Sequence, residues 1–316
     1  MKIALLADIH ANFAALETVT TEIDAWQPDL VIVAGDLVNR GPKPKECLKF
    51  VHRRILDQNW YWLRGNHEDY VIDQSKANGD TTNSATEVHR ASRWTLEQLI
   101  KPDLISEITG YPESQKNSDS NLGLIKEMPF QINLLDPAGQ KASFVHASMT
   151  GIRDGIYPEM TNEKLEPKVL TPIPEYSHPS VQWIGSENHK ANLSLFGVGH
   201  THRPLVRHLN GTLVVNAGSA GLPFDQDTRP SYAQLTYYKN QWRAEIKRFD
   251  YDLQQAVNDF YTTGYLEDGG ALVNLVLIEL QTAQSQLYHW AIRYQEQALR
   301  GEISMDESVE RYLSYD

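Results

Sequence analysis

Seven residues of metal-ligating type, Asp8, His10, Asp36, Asn66, His146, His200 and His202, lie scattered along the chain, each just after a short apolar run. Carboxylate, amide-oxygen and imidazole donors without thiolate suit Mn, Fe, Zn, Co or Ni better than Ca or Mg. Seven donors exceed one ion's need, and one carboxylate can bridge two. The expectation is a dinuclear site with Asp36 as the bridge. Two divalent ions about 3.5–4 Å apart clamp a phosphate and lower the pKa of the water between them. Mn²⁺ is the first choice for both.

Such donors need strand ends to bring them together. Lys2 to Ala7, Leu30 to Ala34 and Trp60 to Leu63 read as buried strands. They alternate with helices, one capped by Asn12 and stopped by Pro28, the other opened by Pro44. Asp8 and Asp36 are 28 residues apart and Asp36 and Asn66 are 30, about one βαβ unit of roughly thirty residues each. Residues beyond the carboxyl ends of parallel strands converge on one crevice. Further strands are expected at 130–135, 142–145 and 193–198, with hairpins at 205–215 around Asn210-Gly211 and at 232–249 turning near Lys239-Asn240. A helix is expected over 87–99 between polar surface loops at 75–86 and 114–121. The proline-rich stretch 150–192 reads as loops without long elements. From 252 onward the chain reads as helical. There Leu272, Val276, Leu280, Ala283, Leu287, Trp290, Tyr294 and Ala298 make an apolar stripe that either packs on the body or forms a homodimer seam.

Composition bounds the rest. A chain of 316 residues with 41% hydrophobic content can bury a large core, which excludes a disordered or fibrous protein. The net charge of −12 is the wrong sign for a nucleic-acid surface. Cys47 stands alone, so there is no intrachain disulfide and no Cys-rich zinc site. The first apolar run meets Asp8 and His10 too soon for a signal peptide, and no uninterrupted run is long enough to span a membrane. The expectation is a cytoplasmic protein acting on a small molecule.

The series Asp8-Ile9-His10, Gly35-Asp36-Leu37-Val38-Asn39-Arg40-Gly41, Gly65-Asn66-His67-Glu68, Val145-His146 and Gly199-His200-Thr201-His202 resembles the calcineurin-like metallophosphoesterases. Asn216-Ala217-Gly218-Ser219 and the segment from Arg229 resemble the bacterial phosphodiesterase branch. The resemblance implies an α/β fold of the four-layer αββα sandwich type: two mixed β-sheets face to face, flanked by helices. It places a phosphoesterase domain at 1–267 and leaves 268–316 as a C-terminal helical extension. It assigns Asp8, His10, Asp36 and His202 to one metal, and Asp36, Asn66, His146 and His200 to the other. It also makes His67 the group that protonates the leaving alkoxide or steadies the phosphate, a role that suits an imidazole.

The resemblance implies hydrolysis of a small or nucleotide-like phosphodiester or phosphomonoester, with Asp36, His67 and Arg40 catalytic and Arg40, Asn39 and Asn66 touching substrate. The Arg40 fork suits two phosphate oxygens, a salt bridge being the alternative. Gly35 to Pro42 also resembles the protein phosphatase and dinucleoside tetraphosphatase branches, although Asn39 stands where protein phosphatases have Asp. Phosphoprotein or dinucleoside polyphosphate hydrolysis is therefore the second reading, and a non-catalytic metal-bound scaffold the third. His89, Arg90 and Arg93 read as a solvated helix face or a lid. Trp94, Tyr157 and Trp183 read as core or as base-stacking aromatics. His52, His178, His189, His208 and His289 read as structural or exposed.

Overall fold

β1 (Lys2–Leu6), β2 (Leu30–Ala34) and β3 (Trp60–Leu63) pair in parallel in the computed structural model, which describes residues 1–76, 89–101, 120–171 and 180–314. α1 (Phe13–Trp26) and α2 (Pro44–Asp57) make the two crossovers, α1 capped by the Asn12 side chain, which accepts from the Ala15 amide at 3.1 Å. α3 (Asn66–Lys76), α4 (Arg90–Ile100) and α5 (Asn121–Glu127) follow. α4 starts at Arg90 with His89 as its N-cap and ends at Ile100, against the expected 87–99; residues 87 and 88, His178 and most of the two expected polar loops lie outside the described residues.

The second sheet is built from β4 (Gln131–Leu135), β5 (Lys141–Val145), β6 (Val181–Ile184), β7 (Leu193–Val198), β8 (Leu205–Leu209) and β9 (Thr212–Asn216). Its order is β6-β4-β5-β7-β9-β8. β10 (Ser231–Tyr238) and β11 (Gln241–Arg248) return to the first sheet, whose order is β11-β10-β1-β2-β3. Both sheets mix parallel and antiparallel pairs. Both tight hairpins form where expected, with positive φ at Asn210, Gly211, Lys239 and Asn240, the backbone a type I′ turn requires.

β1 shows why the strands read as continuous apolar runs: both of its faces are covered. Ile3, Leu5 and Ala7 pack with Phe144, Leu195 and Val215 between the sheets, while Ala4 and Leu6 pack with Leu16, Val19 and Ile23 of α1. On the far side of the second sheet, Phe196, Val198 and Val214 meet Leu165 and Val169 of α6 (Asn162–Leu170). These layers are helix, sheet, sheet and helix, as the resemblance implied.

The proline-rich stretch corrects one expectation, since it holds α6 and β6. Pro167 sits inside α6 on its exposed side, and the carbonyl it cannot donate to belongs to exposed Glu163, where water can serve. Leu165 and Val169, four residues apart, bury the opposite face.

The expected C-terminal stripe is divided among α9 (Leu272–Thr282), α10 (Gln286–Trp290), a π-helical turn at Ala291–Gln295, α11 (Glu296–Leu299) and α12 (Met305–Ser314). These follow α7 (Leu253–Thr262) and α8 (Tyr265–Asp268), and the break after α9 falls at Ala283, where φ is +52°. Val276, Leu280, Ala283, Trp290 and Ala298 are buried within the chain itself. One cluster joins Phe260 and Tyr265 to Val273 and Val276, so residues on both sides of the 267/268 boundary share a core.

Candidate metal centre

Each expected donor lies just past the carboxyl end of a parallel strand: Asp8 and His10 after β1, Asp36 after β2, Asn66 after β3, His146 after β5, and His200 and His202 after β7. The loops are forced into rare backbone shapes. Asp8, His10, Asp36, His200 and His202 all have φ between +49° and +68°, uncommon for residues with a Cβ and the kind of strain that concentrates at functional sites. Two motif glycines permit the crowding. A Cβ on Gly35 would stand 2.7 Å from the Gly65 backbone, and one on Gly65 would stand 2.1 Å from Asp36 Oδ1.

The structure brings all seven donors together in two sets that share Asp36. In the first, His202 Nε2 is 3.3 Å from Asp8 Oδ1 and 3.1 Å from His10 Nε2, which is 3.7 Å from Asp36 Oδ2. In the second, His146 Nε2 is 3.3 Å from Asp36 Oδ2, 3.0 Å from Asn66 Oδ1 and 3.2 Å from His200 Nδ1. His200 Nδ1 is also 2.9 Å from Asn66 Oδ1. All but His200 are buried.

The remaining atoms of these side chains are tied down in a way that aims lone pairs at one another. A carbonyl only accepts, so each ring nitrogen facing one must carry hydrogen. His10 Nδ1 donates to Asn39 O at 3.2 Å, His146 Nδ1 to Ala34 O at 2.8 Å, His200 Nε2 to Arg153 O at 3.1 Å, and His202 Nδ1 to Leu222 O. The opposite nitrogen of every neutral ring is then a bare acceptor pointing into the cluster. The carboxylates behave alike: Asp36 Oδ1 accepts from the His67 amide at 2.9 Å and Asp8 Oδ2 from the His200 amide at 2.7 Å. Asp8 Oδ1 is buried with no hydrogen bond among the described residues. Once any proton on His146 has left, acceptors crowded at about 3 Å repel one another, and the arrangement fits divalent cations.

The sequence profile described as calcineurin-like phosphoesterase matches residues 1–204. The chain belongs to this family. An uncharacterized protein of Methanocaldococcus jannaschii is 26% identical over 269 residues, 80% of this chain and 89% of that protein. Among solved structures, a hypothetical protein from Pyrococcus horikoshii OT3 superposes with a TM-score of 0.65 at 16% identity, covering 90% of this chain and 99% of that one. A metallophosphoesterase from Sphaerobacter thermophilus superposes with a TM-score of 0.59 at 23% identity, over 90% of this chain and all of that one. These two likenesses show the fold. No helix among the described residues is long and apolar enough to cross a membrane.

In this calcineurin-like phosphoesterase the Asp36 carboxylate stands 3.3 Å from His146 Nε2. Burial opposes a charged ring at His146, yet the Asp36 charge and hydrogen bond, the Asp8 charge and the Ala34 carbonyl together outweigh it and raise the His146 pKa to about 10. A proton held there must leave before a cation can bind. Loading the protein with Mn²⁺ at pH 7.5 in weak buffer is therefore expected to release about one proton per chain. Metal affinity should rise with pH up to about 10, where that competing proton is lost. An indicator dye reads the release, and affinity that does not change between pH 6 and 9 would contradict it.

Glu68 is a residue for which motif reading supplied no role. It is fully buried at the start of α3, where Oε1 accepts from the Leu37 and Val38 amides at 2.8 and 3.1 Å. Oε2 accepts from the Asp36 and Gly65 amides at 2.9 and 2.7 Å. One side chain thus fixes the turn that carries Asp36. Burial and the neighbouring Asp36 charge push its pKa up to about 7 against those four donors. Its sequence signal is an acid three residues after Gly65, in the first turn of a helix. Glu68→Gln would set an amide NH₂ against two backbone N–H groups. We expect it to cost about 2–4 kcal/mol of stability, measured by denaturant unfolding.

His67 is 7% exposed, edge-on to the His10 ring at 4.9 Å and to the Tyr70 ring at 5.0 Å. Its Nδ1 accepts from Asn39 Nδ2 at 3.0 Å, so Nε2 carries the hydrogen. Burial, with the Arg40 charge added, drives its pKa well below the usual histidine range and keeps the ring neutral, whatever the opposing pull of Asp36. Asn39 is buried, and its Nδ2 also donates to Ser92 Oγ at 2.9 Å, so that it holds the His67 ring. Arg40 is half-buried, and its guanidinium has no ion pair or hydrogen bond among the described residues.

The other candidates fall elsewhere. Trp94 is buried against Tyr265, and His52 stacks on Trp62. Trp183 sits on edge strand β6 against exposed His189, and Tyr157, His208 and His289 are exposed. Arg90 donates to Asp268 O, His89 is exposed beside Tyr70, and Arg93 is half-buried on α4.

Proposed function

We propose that the chain hydrolyses phosphoesters of small or nucleotide-like molecules at a dinuclear centre held by Asp8, His10, Asp36 and His202 on one side and Asp36, Asn66, His146 and His200 on the other. The observation that carries this reading is the pair of acceptor sets meeting at Asp36 Oδ2, with Asp8 Oδ1 buried and unpaired. Two divalent ions bound there would activate the attacking water and offset the negative charge that builds on phosphate. Mn²⁺ suits these donors, as do Fe, Zn, Co and Ni.

The chain's own residues do the rest. Arg40, whose fork has no ion pair or hydrogen bond among the described residues, takes two non-bridging oxygens. His67, held by Asn39, presents Nε2–H towards the phosphate or the leaving oxygen. Because its ring is kept neutral, hydrogen-bond donation is its resting role; proton transfer requires the incoming phosphate charge to raise its pKa.

The Arg40 fork also favours substrates rich in charged oxygens, which keeps dinucleoside polyphosphates as a second reading. p-Nitrophenyl phosphate and bis-p-nitrophenyl phosphate, assayed side by side with Mn²⁺, test the proposal. Turnover of the monoester or the diester states the preference. Turnover of neither by metal-loaded protein would leave the scaffold reading and overturn this one.

A further inference from the structure

The loop after β5 brings a second guanidinium to the His200 side of the centre. Two residues beyond His146 the chain turns tightly: Ser148 and Gly151 form an antiparallel bridge, and the Asp154 amide donates to Gly151 O at 3.2 Å. Ile152 and Ile156 are buried in one cluster with Phe130 and Leu165, which anchors the turn at both ends. Gly155 lets it lie against the metal loop, since a Cβ there would stand 2.6 Å from the Thr201 side chain and 2.9 Å from the His200 ring. Between those anchors stands Arg153, exposed, with its carbonyl accepting from His200 Nε2 at 3.1 Å.

The Arg153 guanidinium lies over the Tyr70 ring, its carbon 4.7 Å from the ring centroid. Tyr70 is in turn edge-on to His67 at 5.0 Å. Arg153 therefore reaches the centre twice, through its own backbone at His200 and through Tyr70 at His67. Its acidic neighbours are engaged elsewhere: Asp154 with Lys168 and Thr150 Oγ1, and Asp69, the residue before Tyr70, with Arg64 at 3.2 Å. No ion pair or hydrogen bond among the described residues takes up the Arg153 guanidinium. A ring face attracts a guanidinium without consuming its N–H donors, which stay available to oxygens.

We propose that Arg153, seated on Tyr70, is a specificity residue that binds a second phosphate group of the substrate, linked to the one hydrolysed at the metals. Arg40 and Arg153 divide the work by position. Arg40 lines a small cavity with His10, beside the first donor set, whereas Arg153 is fixed to His200 of the second. Tyr70 touches both Arg153 and His67, which offsets the guanidinium from the ring that serves the scissile phosphate. A planar fork suits the paired oxygens of a neighbouring phosphate. In a chain of net charge −12, a guanidinium held at the metal loop also supplies the local attraction that a polyanion needs. The inference rests on the hydrolytic reading and deepens it: the favoured substrates carry linked phosphates, as nucleoside diphosphates and dinucleoside polyphosphates do, rather than a single ester phosphate.

Titration calorimetry on Mn²⁺-loaded protein, with methylenediphosphonate set against methylphosphonate and the same Mn²⁺ concentration in cell and syringe, tests it apart from turnover. The wild type is expected to prefer the diphosphonate, and Arg153→Met to lower that preference by about tenfold. Arg153→Lys, which keeps the charge but not the fork, should recover part of it. Tyr70→Leu, which removes the seat, should lower it by about threefold. A preference that Arg153→Met leaves unchanged would overturn the proposal, whether both affinities fall together or neither does. A fall in both would mark Arg153 as a support for the His200 loop, and a lower melting temperature would accompany it. A wild type that binds the two ligands equally overturns the proposal as well. Wild-type turnover of the p-nitrophenyl esters, measured in parallel, reports on the hydrolytic reading separately: turnover without an Arg153-dependent preference removes this inference alone.

Discussion

Asp36→Asn is expected to lower phosphoester turnover by about 10³-fold or more and to reduce bound metal from about two ions per chain to one or none. Asp36 Oδ2 is the atom common to both donor sets, 3.7 Å from His10 Nε2 and 3.3 Å from His146 Nε2. Its other oxygen is fixed by the His67 amide, so the side chain has little freedom to turn. Asn keeps the shape and removes the charge. Whichever way its amide is oriented, NH₂ hydrogens face either the His67 N–H or the ring nitrogens that need a cation. Elemental analysis of protein purified without chelator, read beside p-nitrophenyl ester turnover, checks both halves. Two ions retained with full activity would remove Asp36 from its bridging role.

His67→Ala should give the second largest loss, about 10²- to 10³-fold in turnover, with metal content unchanged because the ring belongs to neither donor set. The leaving group separates its two proposed tasks. If His67 supplies a proton, the loss will be larger for a poor alkoxide leaving group than for p-nitrophenolate. If it only donates a hydrogen bond to phosphate, both substrates will suffer alike. Asn39→Ala, which frees the His67 ring from its 3.0 Å anchor, should act in the same direction with a smaller effect, about tenfold. A His67→Ala enzyme with native turnover on both substrates would assign the ring to packing against His10 and Tyr70.

Much of this was legible before the fold was known, and the reasons differ from residue to residue. β1 to β3 announced themselves through short apolar runs because both faces of those strands are covered. The hairpins were legible because two-residue loops need positive φ, which Asn-Gly and Lys-Asn supply at 210–211 and 239–240. Pro167 misled because proline is a penalty on a local hydrogen bond, and α6 accepts that penalty where its carbonyl faces water. The C-terminal stripe kept its helical period across a chain that turns at Ala283, since periodicity marks which residues are apolar but not where the axis bends.

At the centre, spacing identified the seven donors and fixed their order along the chain. It could not show that β10 would return to lie beside β1, or that β5 and β7 would pair across the proline-rich segment. Nor could it show which nitrogen of each histidine faces inward, or that Glu68 ties the Asp36 turn. Residue type and local period are written in the sequence because they depend on neighbours a few positions away. Tautomer, buried partners and the meeting of distant loops depend on contacts between segments tens to hundreds of residues apart, and only the packed tertiary structure brings those atoms into range.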